Sequence, residues 1–376
     1  MRIPVWIELK RGVVKEIVES DERGTMVVRL DIHHPHKLAV VYAPLTGWVE
    51  VGDEVLVNTT ACSLGLGTGG YHFVVCNLNM RDRAFVSKGH GMKLKYTPLQ
   101  MQILLSEEEE SPHHAHYNQP IDFRGKLVYV GELHSMLAPL CAYLKYFSEG
   151  KVSIAYIMTD HGALPISFSR IVGLLKRKGL LDVTVTSGNA FGGDYECVNI
   201  YTALKAALNV ANCDVAIVAM GPGILGTGTT FGFSGLELGL YVNLVAALGG
   251  NVLYIPRLGF GDARERHIGI SHHSITVLKH IIHHPIPLVL PLMDKSKLRR
   301  VIKQLEDSRL LAKYRAVFLS GSDIRKALKH YGLAPTTMGR GIDEEPYFFY
   351  ALGAAARYGL TQVLQIRCCD IKKVGL

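Results

Sequence analysis

Acidic residues and histidines stand directly after several apolar runs of this sequence, where a general acid or base could be placed. The side chains with suitable chemistry near neutral pH are those of Glu132, His134, Asp160, His161 and His272. They follow different apolar runs, yet parallel strands end at one edge of a sheet, so a single cleft could hold them. We therefore predict acid–base chemistry at that edge, with one histidine hydrogen-bonded to Asp160 or Glu132.

A glycine-rich segment after the apolar run Val215–Ala219 has the composition of an anion-binding loop. Backbone amides in such a loop can face a phosphate or a carboxylate. We predict ligand contacts from this loop and countercharge from arginines further along the chain: Gly221, Gly223, Gly226, Thr227, Gly228, Thr229, Arg257, Arg264 and Arg266. Asn189 and Asp194, which follow the run Val183–Thr186, complete the predicted ligand-binding set. A loop with a purely structural role is the alternative.

The same loop contains the spacing GxGxxG, which in dinucleotide-binding proteins opens a helix at once. Here Thr227–Ser234 separates the glycines from the helical pattern that begins near Gly235. Thr227 also stands where a P-loop carries its lysine. The sequence therefore argues against a dinucleotide cofactor.

His272 and His273, together with Asp160, are the candidates for a divalent metal site. Adjacent histidines on one helix point about 100° apart, so this pair cannot easily supply two ligands to one ion. No HExxH motif is present. Hydrogen-bonded histidines are the favoured interpretation, and a metal remains open.

The order of apolar runs and turns predicts how these residues are positioned. Residues 1–100 contain short, valine-rich strands separated by turns, which indicates a small barrel or meander. Residues 101–124 have charge, proline and little periodicity, as in a connector. Residues 125–376 alternate buried strands with helical patterns, including a helix at about Pro346–Tyr358, and predict a Rossmann-like domain.

In that domain we predict an α/β fold with a doubly wound, mainly parallel sheet of about seven strands, a closed barrel being the alternative. The predicted strands are Leu127–Val130, Ser153–Met158, Val183–Thr186, Val215–Ala219, Val252–Ile255, Leu288–Leu292 and Ala316–Leu319.

Composition restricts the classes of protein to consider. Hydrophobic residues make up 48% of the chain, enough for sizeable cores, and no stretch is apolar enough to cross a membrane. The first residues lack the apolar core of a signal peptide, so we expect a cytoplasmic protein. The formal net charge is +8, but the lysines and arginines are spread along the chain. A nucleic-acid partner is thus not favoured, and a homo-oligomer is left open.

Several strings resemble stretches of one bacterial family known only as a domain of unknown function. They are Gly65–Tyr71 (GLGTGGY), Lys95–Gln100 (KYTPLQ), Glu110–His114 (ESPHH), Gly221–Thr229 (GPGxxGTGT), Arg264–His267 (RERH) and Ser271–Ser274 (SHHS). The resemblance covers most of the chain. It implies no activity, substrate or cofactor.

The sequence thus favours an enzyme or specific binder that acts on a small anionic molecule, phosphorylated or not, at the strand ends of the α/β domain. The alternative is a non-catalytic module whose β-rich domain binds nucleic acid or protein while the α/β domain senses a ligand.

Overall fold

The computed structural model describes residues 5–80 and 88–365. The chain forms two compact units. One comprises Met1–Ser87 with Leu94–Met101, and the other comprises Lys88–Lys93 with Gln102–Leu376. The limits predicted for the domains and their connector stay a prediction.

The first unit is a closed barrel of five strands, which confirms the prediction of a barrel-like fold. The strands are β1 (Leu9–Ser20), β2 (Thr25–Ile32), β3 (Leu38–Tyr42), β4 (Glu54–Asn58) and β5 (Tyr71–Asn77), with short helices α1 (Ala43–Thr46) and α2 (Thr60–Ser63). Their order around the barrel is β1-β2-β3-β5-β4, and closure leaves no unpaired strand edge. Alternate residues such as Val28, Leu30 and Val57 fill the interior.

Three short elements precede the main sheet. They are β6 (Gly91–Lys93), β7 (Met101–Ile103) and α3 (His114–Tyr117).

The second unit is built on an open sheet of six parallel strands, as an α/β fold requires. The strands are β8 (Leu127–Gly131), β9 (Ile154–Met158), β10 (Val183–Ser187), β11 (Tyr195–Cys197), β12 (Val215–Ala219) and β13 (Asn251–Ile255). Their order is β11-β10-β9-β12-β8-β13, which differs from the order 3-2-1-4-5-6 of dinucleotide-binding sheets. Most strand residues are buried on both faces, which explains their continuous apolar sequences.

Helices cover both faces of this sheet. They are α4 (Leu137–Phe147), α5 (Arg170–Arg177), α6 (Ile200–Lys205), α7 (Leu238–Ala247), α8 (His272–Thr276), α9 (Lys295–Asp307), α10 (Ile324–His330) and α11 (Pro346–Tyr358). Helices α4, α5, α10 and α11 share a core with Tyr129 and Tyr156. Helices α6 to α9 share the opposite core with Val128 and Ile157. The predicted doubly wound arrangement is confirmed.

Four further strands form two small sheets. They are β14 (Leu258–Gly259) with β15 (Gly269–Ile270), and β16 (Pro287–Pro291) with β17 (Arg315–Leu319). The sequence predicts about seven strands in one sheet, with β16 and β17 among them. The placement of these two strands is wrong, because they pair with each other apart from the six-stranded sheet. Pro287 and Pro291 lack the amide donors that a second ladder on β16 would use. The three-residue β11, too short to be predicted, completes the main sheet.

Short helical turns extend some of these helices or connect other elements. Those of 3₁₀ type are His134–Met136, Asp160–Gly162, Ile166–Phe168, Ser234–Glu237, Glu265–His267 and Leu310–Ala312, and those of π type are Ala206–Val210, Val277–Ile281 and Gly359–Val363. Among the described residues, no helix is long and apolar enough to cross a membrane.

Candidate functional site

The connections of the sheet diverge at its carboxyl end. Strands β9, β12 and β8 are neighbours, and β13 flanks β8. The chain leaves β8 and β9 for helices α4 and α5 on one face, but leaves β12 for α7 on the other face. Ligands of open α/β sheets bind outside the strands where the connections diverge in this way.

Arg257 is the centre of a charged network beyond β13. Strands β14 and β15 form a small hairpin, and the residues between them turn back over Arg257. Its Nη2 donates to Oδ2 of Asp262 at 2.8 Å, and Arg264 donates to the same carboxylate from Nε and Nη2 at 3.0 Å. These guanidinium groups, Arg264 foremost, hold the pKa of Asp262 well below its usual range. Arg257 and Asp262 are 8% exposed, so the pair is nearly shielded from solvent.

Three histidines pack against this network. The ring of His272 lies 5.0 Å from that of His267 and 4.1 Å from that of His273 between centroids. Burial first and the nearby arginines second lower the pKa of His267 to about 4. Burial, together with His272 and His267, lowers the pKa of His273 to about 3. Burial and the arginines Arg266, Arg257 and Arg264 also lower the pKa of His272, so the neutral form is favoured in all three rings.

The hydrogen bonds of His267 fix its tautomer. Its Nδ1 lies 2.9 Å from the hydroxyl oxygen of Ser271 and 3.5 Å from Nη1 of Arg257. Since a guanidinium group can only donate, Nδ1 is the acceptor, and the proton of the neutral ring is on Nε2. That Nε2 has no hydrogen-bond partner in residues 5–80 and 88–365.

A cleft opens beside Arg257 and His267, lined also by Asp262, Thr337, Arg340 and Glu345. A tight turn presents Thr337 and Arg340, which exchange backbone hydrogen bonds of 2.9 and 3.0 Å. Met338 (φ 49°) and Gly339 (φ 78°) at its tip have the two positive φ angles of a type I′ turn. A non-glycine residue in this conformation is strained, and such strain is concentrated at functional sites.

Glu345, just before α11, lines the cleft and holds the backbone of Phe260 and Gly261 in place. Its carboxylate accepts the backbone N–H groups of Phe260 at 2.7 Å and Gly261 at 2.8 Å, while Nε of Arg340 lies 3.5 Å away. A Cβ on Gly261 would stand 2.8 Å from this carboxylate, so the close approach requires glycine.

The glycine-rich loop lies next to the histidines. A Cβ on Gly226 would stand 3.5 Å from the ring of His273, and one on Gly228 would stand 4.0 Å from Nη1 of Arg266. Two threonines of the loop close it by bonding to Gly232. The hydroxyl of Thr227 donates to the carbonyl of Gly232 at 2.8 Å, and the N–H of Gly232 donates to the hydroxyl of Thr229 at 3.1 Å.

Within this loop, the backbone N–H groups of Gly228, Thr229 and Thr230 are exposed and have no partner among the described residues. Gly223 is exposed at φ 102°. Gly221 is instead buried, where a Cβ would meet Met158 at 3.1 Å.

Glu132 reaches the same region from the end of β8. It is 1% exposed, and Tyr254 donates a hydrogen bond to its Oε1. Burial raises its pKa, against the opposing effects of Ser274, Tyr254 and Arg257. The structure thus brings together a subset of the predicted residues: Glu132, Gly226, Gly228, Arg257, Arg264, Arg266, His272 and His273.

Other predicted residues are engaged elsewhere. His134 faces the opposite core, between the hydroxyls of Tyr156 (3.1 Å) and Ser169 (2.6 Å). Asp194 lies beside Thr184, near the amino end of β10, where Lys176 donates to it at 2.8 Å.

Asp160 accepts the N–H of Asn189 at 2.6 Å, and His161 is exposed. No described histidine is hydrogen-bonded to Asp160 or Glu132, so that prediction is wrong. Tyr254 instead donates to Oε1 of Glu132, whose buried Oε2 has no partner among the described residues, and a backbone amide donates to Asp160. Among the described residues, no group of three or more His, Cys, Asp or Glu side chains is arranged to hold a metal ion.

Sequence reasoning missed five residues that line the cleft: Asp262, His267, Thr337, Arg340 and Glu345. It also missed Tyr254 and Ser271, which are hydrogen-bonded to Glu132 and His267. Asp262 and His267 were detectable, since they stand in the same polar segment as Arg264 and Arg266. Thr337, Arg340 and Glu345 are far along the chain, and no local pattern marks them.

The cleft and its loop define an α/β protein with a site rich in hydrogen-bond donors. Residues 38–356 match the model of a family described as a protein of unknown function (DUF3866). The chain therefore belongs to this family. A search of curated proteins found no match.

Proposed function

We propose that this protein binds a small anionic molecule, through a phosphate or carboxylate group, in the cleft lined by Arg257, His267, Thr337 and Arg340. The observation that carries the proposal is an imbalance between donors and acceptors. The acceptors of the cleft are already used, whereas several donors are open.

The two carboxylates of the cleft already accept several hydrogen bonds within the protein. Asp262 accepts four hydrogen bonds, from the guanidinium groups of Arg257 and Arg264 and from the N–H of Arg264. Glu345 accepts two backbone N–H groups. A ligand that needs acceptors would find few here.

The open groups are donors. They are Nε2–H of His267, the guanidinium of Arg340 and the hydroxyl of Thr337, which accepts from Ser135 at 3.3 Å and keeps its own proton to donate. Arg340 lies 3.5 Å from Glu345 and 3.8 Å from Asp262, but its Nε has no hydrogen-bond partner among the described residues. Arginine beside hydroxyl and N–H donors is a pattern that suits oxyanions.

The site also contains groups that could move a proton. A neutral His267 can donate from Nε2, and the hydroxyl of Ser271 could in turn donate to Nδ1. His272 has a buried Nε2 without a partner among the described residues. We propose acid–base roles for His267 and His272, rather than for His134, His161 or Asp160. Glu132 would act as a buried carboxyl group that can store a proton.

The alternative of a nucleic-acid-binding barrel gains no support from its surface charges. Arg11, Arg29 and Lys15 of the barrel form ion pairs with Glu54, Glu16 and Asp31. Cations paired with carboxylates are poorly placed to neutralise a phosphate backbone.

Isothermal titration with sulfate, phosphate and small carboxylates tests the proposal. We expect at least one of these anions to bind the wild-type protein and Arg340→Gln to weaken that binding at least tenfold. Arg299→Gln is the matched control, since Arg299 is an exposed arginine on α9. Thr337→Val, with a smaller loss expected, tests the cleft without a change of charge. Binding of no anion, or equal binding by a folded Arg340→Gln variant, would refute the proposal.

A further inference from the structure

The donors around the histidines fall into two groups. The first is the cleft, with Arg257, Arg340, Thr337 and Nε2–H of His267. The second is the glycine-rich loop, with the open N–H groups of Gly228, Thr229 and Thr230 beside Arg266. The rings of His267, His272 and His273 pack against one another; His267 lines the cleft, and a Cβ on Gly226 of the loop would stand 3.5 Å from His273.

Each group has one uncompensated positive charge. In the cleft, three guanidinium groups, those of Arg257, Arg264 and Arg340, stand against the two carboxylates of Asp262 and Glu345. The buried Glu132 does not change this balance in its neutral form, which burial favours.

At the loop, Arg266 has no ion-pair partner within the described part of the chain, because the neighbouring Glu265 is paired with Arg300. The loop therefore resembles the cleft in offering one open cation together with neutral N–H donors.

His272 connects the two groups. Its charge state is influenced by Arg266 on the loop side and by Arg257 on the cleft side. Its Nε2 is buried and lacks a hydrogen-bond partner among the described residues. A buried nitrogen in this state costs free energy unless a ligand satisfies it.

We propose that the ligand carries two anionic groups, one held in the cleft by Arg257 and Arg340, the other at the loop by Arg266 and the N–H groups of Gly228–Thr230. The middle of the ligand lies along His272. The ligand class is thus a small diphosphate, bisphosphate or phosphorylated carboxylic acid. This inference rests on the proposed function and makes it more specific.

The test is isothermal titration of the full chain with alkane bisphosphonates of increasing length and with alkyl monophosphonates of matched length. We expect one bisphosphonate to bind at least tenfold more tightly than its monophosphonate. Arg266→Gln should abolish this advantage while it leaves the monophosphonate affinity within twofold. Arg299→Gln should preserve the advantage.

The outcomes separate the two proposals. Suppose that the monophosphonate binds and that Arg340→Gln weakens this binding. If no bisphosphonate then binds more tightly than its monophosphonate, or if the advantage survives in Arg266→Gln, the two-group inference is wrong and the proposed function stands. If no phosphonate of either kind binds, the two-group inference is wrong, and the proposed function is overturned as well if sulfate, phosphate and small carboxylates also fail to bind. Thermal unfolding of each variant verifies that it is folded.

Discussion

His134 follows β8 of the six-stranded sheet, and His267 lies between β14 and β15 of a small separate sheet. The two histidines differ in how many of their ring nitrogens are already hydrogen-bonded. His134 lies between the hydroxyls of Tyr156 and Ser169, so both ring nitrogens are used inside the protein. His267 uses only Nδ1, towards Ser271 and Arg257, and its Nε2 is open at the cleft. Burial lowers the pKa of both rings to about 4, so acidity does not distinguish them.

The comparison shows that a titratable residue after a strand can bind a ligand only when some of its donors or acceptors are not already hydrogen-bonded within the protein. His134 serves the core, whereas His267, with Arg340 and Thr337, leaves donors for a ligand. The following predictions test this difference.

The largest effect is expected from Arg257→Gln. The side chain of Arg257 is 10% exposed and that of its partner Asp262 is 6% exposed. Loss of one partner of a buried ion pair costs about 3 kcal/mol or more of the free energy of unfolding. Arg264→Gln should cost less than about 1 kcal/mol, because its side chain is 52% exposed. Urea unfolding at pH 7 measures both, and equal losses would contradict a buried centre at Arg257.

His134→Phe should lower stability without weakening anion binding. It removes one hydrogen bond from each of the hydroxyls of Tyr156 and Ser169, which lowers the free energy of unfolding by about 1–3 kcal/mol. The control is the exposed His161→Phe, with an expected change below about 0.5 kcal/mol. Neither variant should alter sulfate affinity in isothermal titration. A folded His134→Phe protein that no longer binds sulfate would place the site elsewhere.

Stability should fall as the pH decreases from about 6.5 towards 4. The folded-state pKa of His134 and of His267 is lowered to about 4, so the unfolded chain binds more protons in this window. Each histidine contributes at most about 1.4 kcal/mol per pH unit.

Saturating sulfate, which remains a dianion over this range, should flatten the pH dependence of the free energy of unfolding. An anion beside the ring favours the protonated form of His267. In the His134→Phe variant, which lacks the contribution of His134, sulfate should remove a larger fraction of the pH dependence of the free energy of unfolding. A slope that sulfate leaves unchanged would count against an anion beside His267.

At the loop we expect an effect on the affinity for one class of ligand only. Gly223→Val places a branched side chain at φ 102°, and the strain should cost about 1–3 kcal/mol or distort the loop. Bisphosphonate affinity should fall several-fold while monophosphonate affinity is retained. Gly67→Val is the control, since its Cβ would meet no atom within 4 Å and its φ is not positive. Equal affinities in the two variants would exclude the loop from the site.

The fold was predictable because its signals are local. The strands of the α/β unit are continuous apolar runs, and α11 (Pro346–Tyr358) begins with a proline in its first turn, as its sequence indicates. The pairing of β16 with β17 was not predictable, because ladder partners depend on tertiary packing.

The site was predictable only in part. The positions after the strands and the basic segment Arg257–Arg266 follow from the chain order. The side to which a residue turns after a strand does not, and so Glu132 and His134 lie against opposite cores. Arg340 and Glu345 enter the cleft through the fold of α11 and the preceding turn, which no spacing in the sequence reveals.

Anomalous scattering from crystals soaked in tungstate tests the central claim most directly, since this heavy oxyanion can be located without assumptions about the ligand. The account predicts a tungsten peak in the cleft, with oxygens within hydrogen-bonding distance of the Arg340 guanidinium and of Nε2 of His267. A saturating soak with no peak in the cleft, or with peaks only near Asp160 and His161, would contradict it.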